Sequence, residues 1–224
     1  MLNLNNNISE SIIQTIVSEK SIDYIKAVKF MEKRVDQIIS NKNSELIWLL
    51  YHPNIYTVGK NSKSSDFLKK PEIPVHKTNR GGQITYHGPG QRIVYFMIDL
   101  NKRNKDLRRF ISLIENSLIN ILYKYHIEST TFKNRVGIWV IKNQGKTLDK
   151  EKKIGAIGLR IKKWITYHGL SFNIKTNLKY YDYINSCGLL EYKNTSLENL
   201  GIDISVRDFD KEYLAEFKKN LKNL

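Results

Sequence analysis

The chain has 224 residues, of which 41% are hydrophobic, enough for one sizeable domain with a core of its own. Its 37 Lys+Arg against 22 Asp+Glu leave a net charge of +15, and a single cysteine excludes an internal disulfide and any cysteine-cluster metal site. No apolar run approaches the about 18 residues of a membrane span, and Asn3, Asn5, Asn6 and Asn7 lack the basic start and apolar stretch of a signal peptide, so a cytoplasmic protein is expected.

In chain order, Ile25, Val28, Met31, Val35 and Ile38 recur at helical spacing and predict a helix over 22–39 behind a cap at Ser21. Leu46 to Tyr51 is a dense apolar run that reads as a buried strand. Ile55 to Val58 reads as another, after a turn at Pro53-Asn54. Residues 60–74, polar and carrying Pro71 and Pro74, read as a loop with at most one helical turn. The stretch from Val75 to Leu100 alternates short strands with Gly81-Gly82 and Gly88-Pro89-Gly90, giving strands at Ile84 to Tyr86 and Ile93 to Ile98. Asp106 caps a second helix with Leu107, Phe110, Ile114, Leu118, Ile121 and Leu122 on one side.

Val136 to Ile141 predicts a strand, and the Lys-rich stretch from Gln144 to Lys152 a charged loop. Ile154 to Ile161 and Trp164 to Ile174 form a hairpin joined at Lys162-Lys163, and Phe209, Tyr213, Phe217 and Leu221 mark a terminal helix. Strand-rich stretches broken by a few long helices give a mixed α/β (α+β) protein with partly antiparallel sheets.

A net positive field attracts nucleic acid, anionic membranes or acidic proteins. Here the charge is mostly Lys in a sequence crowded with Asn and Ile, as AT-rich coding would produce, and Arg, the better reader of bases and phosphates, is scarce. The basic residues do not alternate with aromatics along a strand, which argues against a nucleic-acid binder and leaves an acidic protein as the partner the charge would serve.

Three stretches carry candidate chemistry. Arg80 to Gln91 is rich in glycine and holds Arg80, Thr85 and His87; it fits neither a P-loop nor a dinucleotide-binding pattern. Ile84-Thr85-Tyr86-His87-Gly88 recurs as Ile165-Thr166-Tyr167-His168-Gly169, as if two strands present like groups to one site, each Gly letting a ligand approach the backbone. Cys187 sits in the turn-like run Asn185-Ser186-Cys187-Gly188. A lone cytosolic cysteine is most often a small buried hydrophobe, and as a nucleophile it would need a basic or cationic partner. His87, His168, Lys152 and Lys153 are the candidates. Lys153 enters a strand beside Gly155, Ala156 and Gly158, where small residues leave room for a substrate.

Taken together, Arg80-Gly81-Gly82, Thr85-Tyr86-His87 and Gly90-Gln91 up to Tyr95 resemble the signature of the lipoyl(octanoyl) transferases. Lys153-Ile154-Gly155-Ala156-Ile157-Gly158-Leu159-Arg160, running on to Tyr167-His168-Gly169-Leu170-Ser171-Phe172-Asn173, is similar to their second motif. Asn185-Ser186-Cys187-Gly188 resembles their cysteine loop, with Ser186 where the family often has Pro, and His52-Pro53 and Thr57-Val58-Gly59 fit an earlier segment.

The resemblance implies a single catalytic domain over 1–224, with a family-like core at about 20–200, an extension at 1–20 and a helical tail at 205–224. It also implies the α/β fold of lipoate and biotin protein ligases, with one larger and one smaller sheet. Octanoyl would pass from acyl carrier protein to a lysine of lipoyl domains, in 2-oxoacid dehydrogenase complexes and the glycine cleavage H protein. Cys187 matches the nucleophile and Lys153 the lysine that lowers its pKa, with His168 a secondary candidate. Substrate binding falls to Arg80, Gly81, Gly82, Gln83, Ile84, Thr85, Tyr86, His87, Ala156, Ile157, Gly158, Gly169, Leu170 and Ser171, and no cofactor or metal is expected. The alternatives are an ATP-using ligase of the same fold, which would not need Cys187, and a transferase moving octanoyl between two lipoyl-carrying proteins.

Overall fold

Alternation along two central strands sets the architecture in the computed structural model, which describes residues 13–186, 191–222 and 224. In β2 (Leu46–Tyr51) and β6 (Gln91–Met97), Leu46, Trp48, Leu50, Ile93, Tyr95 and Met97 pack to one side, while Ile47, Leu49, Val94 and Phe96 pack to the other. A sheet apolar on both faces needs helices on both. Helix α1 (Tyr24–Ile39) covers the first face through Ala27, Met31, Val35 and Ile38. The second face is covered by α2 (Leu107–Lys124) and α3 (Val206–Leu221), through Phe110, Ile114, Leu118, Phe209, Tyr213 and Phe217.

The large sheet has seven strands in the order β1-β2-β6-β10-β9-β8-β7, with β1 (Gln14–Ser21), β7 (Ile127–Phe132), β8 (Arg135–Asn143), β9 (Lys146–Lys162) and β10 (Ile165–Asn173) completing it. Among the described residues of this sheet, only β1 and β2 pair in parallel, joined by the crossover that a parallel pair requires, here α1. A second sheet, in the order β4-β3-β5, is made of β3 (Ile55–Val58), β4 (Val75–Lys77) and β5 (Thr85–His87). This is the mixed α/β arrangement expected, with one larger and one smaller sheet.

The chain departs from its sequence-based reading at four places. Ser21 belongs to β1, and the α1 cap is Asp23, whose carboxylate accepts from the Lys26 N–H. Residues 14–20 are therefore an edge strand of the main sheet rather than an appendage. The expected charged loop at 144–152 is strand from Lys146 onward, with Gln144-Gly145 forming a two-residue turn at φ of 50° and 75°. The following hairpin turns one residue later than expected, on Lys163-Trp164, both at positive φ as such tight turns demand.

The tail is part of the core: Phe209, Tyr213, Phe217 and Leu221 are buried, and the Arg92 Nε of β6 donates to the Asp210 carboxylate of α3 at 2.8 Å. Among the described residues, no helix is long and apolar enough to cross a membrane, and no cluster of three His, Cys, Asp or Glu side chains is placed to hold a metal.

Candidate active site

A cavity of about 300 Å³ opens where the two sheets meet. Its walls include Arg80, Gly81, Gly82, Gln83, Ile84, Thr85 and His87 from the glycine-rich turn and β5, and Lys153, Ala156, Ile157 and Gly158 from β9. His168, Gly169, Leu170 and Ser171 contribute from β10. Tyr86 is not among the lining residues. It is fully buried in the core of the small sheet, stacked on Tyr180, its hydroxyl donating to Asn54 Oδ1 at 2.8 Å. Cys187 lies outside the described residues. Tyr24, Tyr95, Asn134, Arg135, Tyr181 and Asn194 also line the cavity. Tyr95 closes the glycine-rich motif in the sequence, but Tyr24 and Asn194 reach the cavity through tertiary packing that no local pattern announces.

Lys153 reaches the cavity because β9 is bulged. Ile138 pairs with Gly155, yet its neighbour Trp139 pairs with Lys153, so Ile154 is an extra residue on β9. Ile154 is in the apolar core, and a side chain at Gly155 would meet Leu118 and Ile138 in that same core. Two consecutive residues thus face one way. Strict alternation back from Gly158 and Ala156 would have put Lys152 on the cavity side; the bulge shifts the phase by one and puts Lys153 there. Its side chain is largely buried.

Both flanks of residues 187–190 are tied to this site. Upstream, Ile184 bridges Phe67 and the Asn185 N–H donates to Asp66 O at 2.7 Å, which leaves Ser186 lining the cavity. Downstream, the returning chain slots between β9 and the end of β10. The Lys153 N–H donates to Lys193 O at 2.9 Å, the Thr195 N–H to Lys153 O at 2.8 Å and the Leu197 N–H to Asn173 O at 3.1 Å. Asn194 Nδ2 closes the gap by donating to Ser186 Oγ at 3.3 Å.

The opposite wall is a cluster of buried rings around one guanidinium. Arg80 is buried and donates to Thr57 O at 2.7 Å, Thr57 Oγ1 at 2.8 Å and Gly81 O at 2.9 Å, stapling the glycine-rich turn to β3. A side chain at Gly59 would strike Gly82 O and Arg80 Nη1, so that position must be glycine. The two hydrogens of Gln91 Nε2 are shared among Tyr86 O, Asn173 Oδ1 and Tyr181 Oη, which makes its Oε1 the acceptor for His87 Nδ1–H at 2.7 Å and leaves His87 Nε2 as the bare nitrogen. His52 donates from Nδ1 to Ile22 O and accepts at Nε2 from the Tyr95 hydroxyl, both at 2.7 Å.

All three rings are held neutral. Burial pushes His52 down to about 4, and burial with the nearby Arg80 charge pushes His168 down to about 3. Burial, with His52 next, takes His87 well below its usual range.

His168 owes its place to backbone geometry. It sits at φ 59°, so its ring stacks on Tyr167 (5.3 Å between centroids) instead of pointing to the other face. The same kink presses Gly169 against β6, where a Cβ would lie 2.1 Å from Val94 O. A Cβ on Gly88 would fall 1.9 Å from the Tyr86 hydroxyl. The paired Ile-Thr-Tyr-His-Gly runs do present both histidines to one cavity, but their glycines make room for the protein's own atoms rather than for a ligand's approach.

The lipoyl protein ligase A/B catalytic domain family model matches residues 23–218. An octanoyltransferase of Wolbachia pipientis is 44% identical over 205 residues, covering 91% of this chain and 97% of its own length. Two solved structures share the fold at low identity. A bipartite lipoate protein ligase from Thermoplasma acidophilum superposes with a TM-score of 0.65 at 12% identity, over 94% of this chain and 85% of that one. The biotin protein ligase of Aquifex aeolicus reaches 0.52 at 13%, over 94% and 69%.

Proposed function

The chain belongs to the lipoyl protein ligase A/B catalytic domain family, and on that premise we propose that it is an octanoyltransferase of protein lipoylation whose Cys187 carries the acyl group. The donor is octanoyl-acyl carrier protein. The acceptors are lysines of lipoyl domains, those of 2-oxoacid dehydrogenase complexes and the glycine cleavage H protein. The observation that carries this reading is the anchoring of the cysteine segment. Ser186, bonded to Cys187, lines the same cavity as Lys153, and the chain returning from the cysteine is hydrogen-bonded to the Lys153 backbone.

The chemistry then runs in two exchanges. The Cys187 thiolate attacks the donor's thioester carbonyl, and the carrier's thiol leaves with a proton. One thioester replaces another, so the step is nearly isoenergetic and needs no ATP. The acceptor's ε-amine next attacks the enzyme thioester, the C–S bond breaks, and the amide and the thiolate are released.

A free thiol titrates near about 8.5, and a neighbouring ammonium stabilises the thiolate; Lys153 supplies that charge. The acceptor amine must lose a proton to attack, and Lys153, left neutral once its ammonium has given a proton to the departing carrier thiol, is the group that takes it. His168, held neutral down to about pH 3, is a poor proton acceptor beside it. Backbone N–H groups of the glycine-rich segments hold the developing oxyanion, and Ile84, Ala156, Ile157 and Leu170 supply apolar wall for the alkyl chain.

The test is intact mass after mixing with octanoyl-acyl carrier protein in the absence of ATP. The expected product is a hydroxylamine-sensitive octanoyl adduct that Cys187→Ser abolishes while the fold is retained. An ATP-using ligase would give no adduct, and a Cys187→Ser protein that acylates at the wild-type rate would overturn the assignment.

A further inference from the structure

The geometry points to Trp139 as a positioning residue for Lys153, with Gly137 leaving the space into which the ammonium fits. This inference rests on the reading of Lys153 as the partner of Cys187. A lysine ends in a compact charge on a flexible four-carbon stem, so a lysine that must stabilise one particular thiolate has to be held. Three features of β8 provide the hold.

Trp139 stands directly across from Lys153 in the β8–β9 register, and the Lys153 Nζ lies 5.6 Å from the centroid of its ring. That is within the about 6 Å over which an indole face attracts an ammonium. Two residues earlier, Gly137 has φ 120°, and a Cβ there would lie 2.5 Å from Lys153 Cε and 3.2 Å from Nζ. The end of the lysine occupies the volume that any other residue's side chain would fill.

Trp139 is itself immobilised. It is fully buried, and its Nε1–H donates to Arg135 O at 3.1 Å. Tyr192 packs edge-on against it at 5.4 Å, and the Arg135 guanidinium is stacked over Phe132, Tyr192 and Trp139 at 3.8, 4.3 and 4.9 Å.

A tryptophan filling the main core would look different. Its neighbours on β8, Ile138 and Val140, join the apolar core beneath α2 and α3, whereas Trp139 faces the other way into a group of rings and cations. A π face holds an ammonium through its quadrupole and leaves the positive charge un-neutralised, which is what a thiolate needs from its neighbour.

The experiment measures the pH dependence of Cys187 alkylation and steady-state kinetics in Trp139→Leu and Trp139→Phe, each alone and in a Lys153→Ala background. Trp139→Leu removes the π face and is expected to raise the alkylation midpoint by about half a pH unit or more, and to lower kcat about tenfold with KM little changed. Phe retains a weaker face and should do less than Leu. In the Lys153→Ala background both substitutions should leave the midpoint where Lys153→Ala alone puts it. A Trp139→Leu shift that persists undiminished without Lys153, or a loss of thermal stability with no change in midpoint, would overturn the role.

Should the Leu variant fail to fold, the wild-type protein supplies an independent readout. The ε-methylene protons of Lys153, identified by their disappearance in Lys153→Arg, should be displaced upfield by the indole ring current. Ordinary lysine shifts would overturn the placement. A Lys153→Ala profile identical to wild type would instead overturn the Lys153–Cys187 pairing, and the ring-current measurement would still judge the Trp139 contact separately.

Discussion

Neutral histidines packed around Arg80 make the protein's stability depend on pH in a calculable way. An imidazole with a reference pKa of 6.5 is lowered to about 4 at His52 and about 3 at His168. Between these values and 6.5 the unfolded chain binds protons that the folded chain does not, so stability rises with pH across that window. The contribution is complete above about 6.5 and is lost as pH falls toward the folded values.

At pH 5 the linkage amounts to about 2 kcal/mol for each of the two rings, and His87, lowered in the same direction, adds to it. Set against a typical net stability of about 5–15 kcal/mol, that is a large fraction. The assay is urea unfolding at pH 7, 6 and 5 on wild type and His168→Gln. The variant removes one titrating ring, so its loss between pH 7 and pH 5 should be smaller than that of wild type by about 2 kcal/mol, whatever its absolute stability. Equal losses in the two proteins, or a wild type whose stability is flat over that range, would refute the assignment of His168 as a buried neutral base.

Lys153→Ala should move the midpoint of Cys187 alkylation up toward about 8.5, by about one unit or more, whereas Lys152→Ala should leave it alone. The bulge makes this contrast sharp, because an unbulged β9 predicts the reverse outcome for the two neighbouring lysines. Gly169→Ala forces a Cβ to within 2.1 Å of Val94 O and 2.7 Å of Phe96 Cδ2. It should cost about 3 kcal/mol or more in thermal or urea unfolding. Gly145→Ala, at φ 75° with no atom within 4 Å of its new Cβ, should cost only about 1 kcal/mol of backbone strain. Similar losses at the two sites would show that β10 is less tightly pressed on β6 than described.

What the sequence made legible was whatever is local. Asp106 announces α2 by capping, and the apolar spacing from Phe209 to Leu221 announces α3. The glycine-rich turn and the β9–β10 hairpin follow from composition and motif, and most of the cavity wall is what the family resemblance implies. The misreadings share one cause, which is cross-strand pairing and register that a segment's own pattern does not announce. β1 is an edge strand, half exposed and mostly polar, so it lacks the alternation that marks a strand; its stability comes from β2. Lys146 to Lys152 is dense in charge and reads as a solvated loop, yet it is held as strand by cross-strand partners on β8.

The bulge at Ile154 is invisible in the same way. Nothing in Lys152-Lys153-Ile154-Gly155 says which lysine faces the cavity until Ile138 and Trp139 fix the register. Cys187 stands out by being unique and by its motif, and it lies outside the described residues, so the support for its role comes from the anchors on either side.

Those anchors and the size of the cavity together support the proposed acyl-enzyme route on this scaffold. About 300 Å³ lies at the lower end of small-molecule sites, suited to one acyl chain and little more. A ligase must hold its acyl group and a nucleotide in reactive contact at the same moment. A transferase working by direct transfer must likewise admit a carrier's thioester arm and an acceptor's lysine together. Depositing the chain on a cysteine removes that demand, because the two protein substrates then visit the same opening in turn. The thiolate must then stay near its lysine through both visits. The chain on either side of Cys187 is fastened at two places, to Asp66 and Phe67 in the connection between β3 and β4 and to β9 at Lys153 itself. Because the Lys153 backbone holds the returning chain at Lys193 and Thr195 while its side chain enters the cavity, whatever displaces β9 displaces Lys153 and that returning chain together.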